Sequence, residues 1–430
     1  MTEVSETNRA IGKGSPEADL SSENQCSIVE SALADVARGS RVLAIIPDKT
    51  RDDNTHILFP AASEVLANKG VTRLDVLVAQ GTHSPMTDAE KLAKIGLDAF
   101  DGNLFDHHWD DPNELITIGK LAADKVKVIT GGIFAEDIPL TINRLVEPGR
   151  YDLILVFGAT VPHEVAGFAG GAKYFFPGIA GADLTHKTHW LADLATIEKI
   201  IGRIETPTRH MIEAAADQIS TPIIAFTSVI TRADEDRLRT HAVFAGDYRS
   251  SLRQAAEVSR RVHIKYTGRK YSRVVAILDE HYEDLWLGGK ASYRLGAVIE
   301  TGGELIIYAP KLRCISATHG ADIERFGGYA PIETIKDLVA NSGELQSNLC
   351  VAAHLAHVSY AGRTNENGGF VLRYRIKLAS QVDAETCCRV KLEYLDYRTF
   401  DISKYQNDPD TLIVERAGRD LYLVEPEDLS

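Results

Sequence analysis

The sequence predicts an α/β fold of two domains, each built on a largely parallel sheet. Three observations carry that reading. Short unbroken apolar runs alternate with segments of helical period, the pattern of βαβ units. The alternation stops in a charged stretch and restarts near residue 268. The length, 430 residues, is roughly two to three domains' worth of chain.

Residues 1 to about 26 carry no apolar run and read as a solvated, disordered tail. From Arg41, RVLAIIPDKTRDD predicts a strand and a loop, and ILFPAASEVLANKG a helix closed by Gly70. LDVLVAQGTH predicts the second strand, Thr87 to Leu97 a helical segment, and YDLILVFGATVPHE the third strand. The stretch from about Arg239 to Ile264 is charged, with no Pro and one Gly, and reads as a helical hinge. Beyond it, RKYSRVVAILDEHYEDLWLGGKASYRLG reads strand, loop, helix, while ELIIYAP and NLCVAAHLAHVSY supply further strand or helix candidates. The expected domains are therefore 27–262, larger and ending in the hinge, and 263–430, smaller. An active site is expected in the cleft between them, where ligand pockets commonly form.

Composition excludes several classes. Apolar residues at 44% and charged residues at 25% are the balance of a globular protein. A net charge of -14 would repel a polyphosphate backbone, so nucleic acid is not an expected partner. Five cysteines, only two of them adjacent, make neither a disulfide framework nor a CxxC knuckle, which points to a reducing, cytoplasmic setting. The opening residues have no apolar core of a signal peptide, and no apolar stretch approaches twenty residues, so no membrane span is expected.

In parallel sheets ligands sit beyond the carboxyl ends of the strands. The first run ends in Asp48, Lys49 and Arg51, the second in Thr82 and His83, the third in His163. The segment Val161 to Trp190 is the richest, with five glycines around Lys173, including Gly170 and Gly171. Such a chain approaches a ligand closely and presents backbone N–H groups to an anion. GGAKYF lacks the P-loop spacing and its magnesium-holding hydroxyl, whereas a Lys in a partly desolvated pocket can lose its proton and act as a nucleophile or tether. His186 and His189 share a helical face without the glutamate of a zincin, so one of them as a metal ligand is the better reading. His107-His108-Trp109-Asp110-Asp111 reads as a solvated turn, because adjacent residues diverge. His354 and His357 read as packing residues, and Cys387-Cys388 as structural.

Asp48-Lys-Thr-Arg51, Gly81-Thr-His83, Pro162-His163 through Gly167-Phe168, Gly170-Gly-Ala-Lys173, Pro177-Gly178 and His189 together resemble the nickel-pincer lactate racemases and their 2-hydroxy acid racemase and epimerase relatives. The match runs over roughly residues 40 to 190, with a weaker one from Asp284 to Lys290. The resemblance implies a pyridinium mononucleotide with two sulfur-containing arms that hold nickel, Lys173 as its covalent tether, and His189 as the remaining ligand of a square-planar centre. It implies His83 and His163 as the two acid-base groups, and Gly170, Gly171 and Asp48 against the cofactor. Arg51 and Lys290 would then hold the substrate carboxylate. Family members often carry glutamine where this chain has Leu287, which implies an altered substrate preference. The implied reaction is inversion at C2 of a lactate-like 2-hydroxy acid, with the cofactor supplied by separate biosynthesis proteins. Two other readings stand beside it: a zinc-dependent hydrolase or lyase using the histidines with Asp48, and a non-catalytic carrier of the nickel cofactor.

Overall fold

The computed structural model describes residues 10–232, 237–359, 362–364 and 370–426. The chain forms two compact units, one of residues 1–188 with 202–262, the other of 189–201 with 263–430.

The first unit is built on a seven-stranded sheet. In chain order its strands are β1 (Ile11–Gly14), β2 (Arg41–Pro47), β3 (Arg73–Ala79), β4 (Leu104–Phe105), β5 (Leu153–Ala159), β6 (Ile223–Arg232) and β7 (Leu238–Gly246). Their spatial order is β1-β7-β6-β5-β2-β3-β4. The pairs β5-β6, β5-β2, β2-β3 and β3-β4 are parallel, and β1 and β7 add an antiparallel edge. Val42–Ile46 and Ile154–Phe157 are buried throughout, as strands covered on both faces must be. Helix α1 (Ser22–Ala32) and helix α2 (Thr55–Asn68) pack on one another and share an apolar core with β2 and β3. Helix α3 (Asp88–Ile95) occupies the predicted helical segment; Thr87 and Glu90 form a capping box at its start, and Gly96 turns left-handed at its end.

Two expectations are corrected here. Residues 10–26 are not a solvated tail. Ile11–Gly14 pairs with Ala242–Ala245, and Ser21 caps α1. The strand has no apolar run to announce it, because what admits it is small size: a Cβ on Gly12 would lie 2.2 Å from the Val243 carbonyl. Nor is 239–264 a continuous helix. Its first third is strand β7, a buried run from Thr240 to Ala245, and the helix covers only Tyr248–His263.

The second unit holds a five-stranded, wholly parallel sheet. Its strands are β8 (Tyr271–Ile277), β9 (Ile299–Ala309), β10 (Arg375–Ser380), β11 (Glu393–Asp396) and β12 (Thr411–Val414), in the order β11-β10-β9-β8-β12. The segment NLCVAAHLAHVSY, open between strand and helix in the sequence, forms helix Leu349–Ser359, buried from Cys350 to Ser359. Eight apolar residues of eleven, with no charged face, suit an enclosed helix, and His354, His357 and Ser359 are buried with them. Among the described residues no helix is long and apolar enough to cross a membrane.

Candidate active site

Strand β2 delivers Asp48 to a buried position at its carboxyl end. Asp48 Oδ1 accepts from the Thr50 N–H at 2.8 Å and from its hydroxyl, and Oδ2 lies 2.8 Å from His83 Nδ1. Burial pushes the Asp48 carboxyl up, but the bond from His83 and the charge of Arg51 outweigh it and hold the group far below the usual carboxylate range. An ionised carboxylate only accepts, so His83 carries its proton on Nδ1 and turns an Nε2 lone pair outward.

His163 has the opposite arrangement. It sits in the two-residue strand Pro162–His163, paired with Gly167–Phe168, and the turn between them brings two backbone amides to its ring. Nδ1 accepts from Val165 N at 3.1 Å and Ala166 N at 3.4 Å. A backbone N–H only donates, so the neutral His163 ring keeps its proton on Nε2. The two histidines thus present a lone pair and an N–H respectively.

The glycines around Lys173 are spatially required. Gly170 has φ +97° and Gly171 φ +60°, and a Cβ on Gly170 would lie 2.9 Å from Thr160 Oγ1. Lys173 follows on a single 3-10 turn, Gly171–Tyr174. Desolvation pulls its ammonium down to about 7; the positive charges of Arg51 and Arg209 act the same way, against Glu164 and Asp48. The next residue, Tyr174, places its hydroxyl where Gly158 of β5 has no side chain: a Cβ there would lie 1.7 Å from the phenol oxygen.

Three contributors to this region carry no motif. Gln80 is buried immediately before Gly81-Thr-His83, and its side-chain amide has no hydrogen-bond partner among the described residues. The buried Thr160 hydroxyl is likewise unpartnered. Arg209, fully buried, donates to the carbonyls of Gly170, Ala166 and Phe168. The sequence signal for Gln80 is its place before the histidine turn, and for Arg209 a cation in the first turn of a helix.

The second unit holds the other predicted residues. His189 is on helix Ala182–Ala195, which crosses from one unit into the other between Thr188 and His189. Four residues further on, Asp193 Oδ1 lies 3.0 Å from His357 Nδ1, both side chains buried. Desolvation raises the Asp193 carboxyl to about 6 despite that pairing. Lys290 opens helix Lys290–Leu295, just after the short helix Leu285–Gly288, which Asp284 caps by accepting from Leu287 N at 3.0 Å. Trp286 meets the rings of His319 and His354 at a tilt, with ring centroids at 4.6 and 4.2 Å. His354 is a buried packing residue as expected, whereas His357 is also half of an ion pair.

One reading of a bland segment is corrected. His107 does not lie in a solvated turn: it is 1% exposed, with Nε2 at 2.9 Å from the Ala180 carbonyl and Nδ1 at 3.3 Å from Asn143 Nδ2. Burial lowers it to about 4, a neutral ring tying loop to loop. His108, paired at 2.9 Å with Glu114, and the exposed Asp110 match the solvated description. Among the described residues no three His, Cys, Asp or Glu side chains converge as a metal cage.

Known proteins resemble the chain in sequence and in fold. Residues 4–198 match the family described as lactate racemase N-terminal domain. Among solved structures, a Thermotoga maritima protein superposes with a TM-score of 0.87 at 29% identity, over 95% of this chain and 99% of that one. The lactate racemase apoprotein of Thermoanaerobacterium thermosaccharolyticum superposes with a TM-score of 0.68 over 99% of this chain and 97% of its own; at 18% identity that likeness is one of fold. The class defined is therefore the α/β proteins with the lactate racemase fold. In sequence the chain resembles the lactate racemase family. It is 32% identical over 151 residues to the lactate racemase of Lactiplantibacillus plantarum, 34% of this chain and 32% of that protein. It is 31% identical over 160 residues to that of T. thermosaccharolyticum, 36% of this chain and 34% of that one. The matches thus span about a third of the length of these curated relatives.

Proposed function

We propose that the protein is a racemase or epimerase that inverts C2 of a 2-hydroxy acid, using a nickel-pincer nucleotide attached at Lys173. The observation that carries this reading is the pair of oppositely set histidines, together with a lysine whose ammonium is drawn down to about 7 and feels the charge of the same Asp48 that orients His83. Inversion with a ketone intermediate needs a group that takes the hydroxyl proton and gives it back, and a donor that holds the ketone oxygen. His83, with Asp48 behind it, takes the proton on Nε2, and Asp48 stabilises the imidazolium that forms. His163 holds the substrate oxygen through its Nε2 N–H, and the His83 imidazolium returns the proton when the ketone becomes an alcohol again. Both rings are then back in their starting forms, whichever enantiomer was the substrate.

The residues present suit the cofactor. Gly170 and Gly171 let the backbone approach it, the unpartnered Gln80 amide and Thr160 hydroxyl offer hydrogen bonds, and a neutral Lys173 is a competent nucleophile for attachment. When bound, the group supplies the acceptor and donor for the Cα hydrogen. Arg51 holds the substrate carboxylate by its planar fork. The roles of His189 as nickel ligand and Lys290 as a second carboxylate contact rest on the family resemblance. Leu287, where relatives often have glutamine, favours a substrate other than lactate.

The test is inversion of an enantiopure 2-hydroxy acid in D2O by protein produced with the cofactor-biosynthesis enzymes. Inversion with retention of the Cα protium is the expected result. Deuterium at Cα would replace this mechanism by proton abstraction, and no inversion across a panel of 2-hydroxy acids would refute the function.

A further inference from the structure

Arg209 stands at the third position of helix Pro207–Ala216, whose N-cap Thr206 accepts from Arg209 N at 3.0 Å. That is the wrong place for a cation. The first turn of a helix favours a carboxylate, and this position commonly carries Glu or Gln. The side chain is also fully buried, which for an arginine normally requires a paired carboxylate. Among the described residues Arg209 makes no ion pair. Glu213, one turn along the helix, is engaged by Arg249 at 3.0 Å. What the guanidinium meets instead is backbone: it donates to the carbonyls of Gly170 at 3.3 Å, of Ala166 at 3.1 Å, and of Phe168. These carbonyls belong to the segment between His163 and Lys173, whose glycines give it little stiffness of its own. Local propensity and desolvation both oppose an arginine here, so its retention is explained by what it holds.

We propose that Arg209 is a positioning residue for Lys173: its guanidinium clamps the glycine segment that carries the lysine and sets a buried positive charge against that segment. The charged groups acting on Lys173 are Arg51 and Arg209, which favour the neutral amine, and Glu164 and Asp48, which oppose them. Arg51 is half-buried and acts on Lys173 as well, whereas Arg209 is fully buried and acts at low dielectric. The proposal rests on Lys173 as the attachment point. Its test needs no cofactor, so failure of one is distinguishable from failure of the other.

The experiment measures the pH at which Lys173 is half-modified by an amine-selective acylating reagent, followed by peptide mass spectrometry on the full chain without cofactor. Two variants separate the two parts of the role. Arg209→Gln removes the charge and leaves two N–H donors of five; Arg209→Lys keeps the charge but loses the fork. In the wild type the midpoint is expected near 7. Arg209→Gln is expected to raise it by about 0.5–1 pH unit, with Arg209→Lys restoring it. In both variants amide exchange across 166–173 is expected to rise. A folded Arg209→Gln with an unmoved midpoint overturns the electrostatic part. Should Arg209→Gln fail to fold, Arg209→Lys decides: unchanged exchange across 166–173 overturns the clamp, and a midpoint raised as far as about 10, the ordinary lysine range, overturns the charge argument.

Discussion

Replacing Asp48 by Asn changes one atom and reverses the logic of His83. The Asn carbonyl can still accept from Thr50 N, now at 2.8 Å. The amide NH2 then occupies the place of Oδ2, which is 2.8 Å from His83 Nδ1. An NH2 donates, so Nδ1 must become the acceptor and the ring proton moves to Nε2, where the base is needed. A charge-assisted hydrogen bond of about 1.5–3 kcal/mol is lost as well. Losing a positioned general base costs about 10²–10⁴ in rate. The inversion rate of cofactor-loaded Asp48→Asn, measured from each enantiomer, is therefore expected to fall by about 10²–10⁴. In 15N NMR of the protein, the protonated nitrogen of His83 is expected to change from Nδ1 to Nε2. The variant is also expected to lose stability at neutral pH and to show a flatter acid limb. The Asp48 carboxyl lies below its unfolded value, so its contribution is present above about pH 4 and disappears as pH falls further. A rate within about threefold of wild type, with the tautomer unchanged, would refute the assignment of His83 as an Asp48-oriented base.

Other consequences follow from particular contacts. Gly158→Ala sets a methyl 1.7 Å from the Tyr174 hydroxyl and 2.2 Å from its ring carbon Cζ, so the ring must be displaced. It is expected to cost about 1–3 kcal/mol or more, read as a lowered thermal midpoint, and an unchanged midpoint would contradict the packing. Asp193, raised to about 6 in the folded state, stabilises that state most below about pH 4, and the contribution is lost as pH rises through 6. Thermal unfolding of Asp193→Asn between pH 4 and 7 is expected to show a flatter pH dependence than wild type, and an identical slope would contradict it. Thr87→Ala removes the cap of α3 and is expected to cost about 1 kcal/mol in denaturant unfolding.

The strands and helices that frame the site were readable because parallel strands buried on both faces leave continuous apolar runs, as in Val42–Ile46 and Ile154–Phe157. The edge strand Ile11–Gly14 was not, since its partner strand selects it by the absence of side chains at two glycines, a signal that exists only in three dimensions. Strand β7 was hidden by charge: Arg239, His241 and their neighbours resemble a solvated helix, although Thr240 to Ala245 is buried. At the site, the sequence placed Asp48, His83, His163 and Lys173 at strand ends and in a glycine-rich turn. What it left open was polarity. Nothing in Asp48 or His163 alone says which ring nitrogen bears the proton; that depends on the Asp48 carboxylate and the Val165 amide, neighbours chosen by folding. Arg209 and Gln80 escaped for the same reason, being ordinary residues until burial makes their partners informative. His107 escaped in the opposite sense, as an eye-catching cluster member that turns out to be a neutral structural tie.

The central claim is attachment of the nickel-pincer nucleotide at Lys173. Its most direct test is the intact mass of wild-type protein and of Lys173→Ala, each produced together with the cofactor-biosynthesis enzymes. The account predicts an adduct of nucleotide-plus-nickel size on the wild type and none on Lys173→Ala. An adduct on both proteins, or on neither, would contradict it.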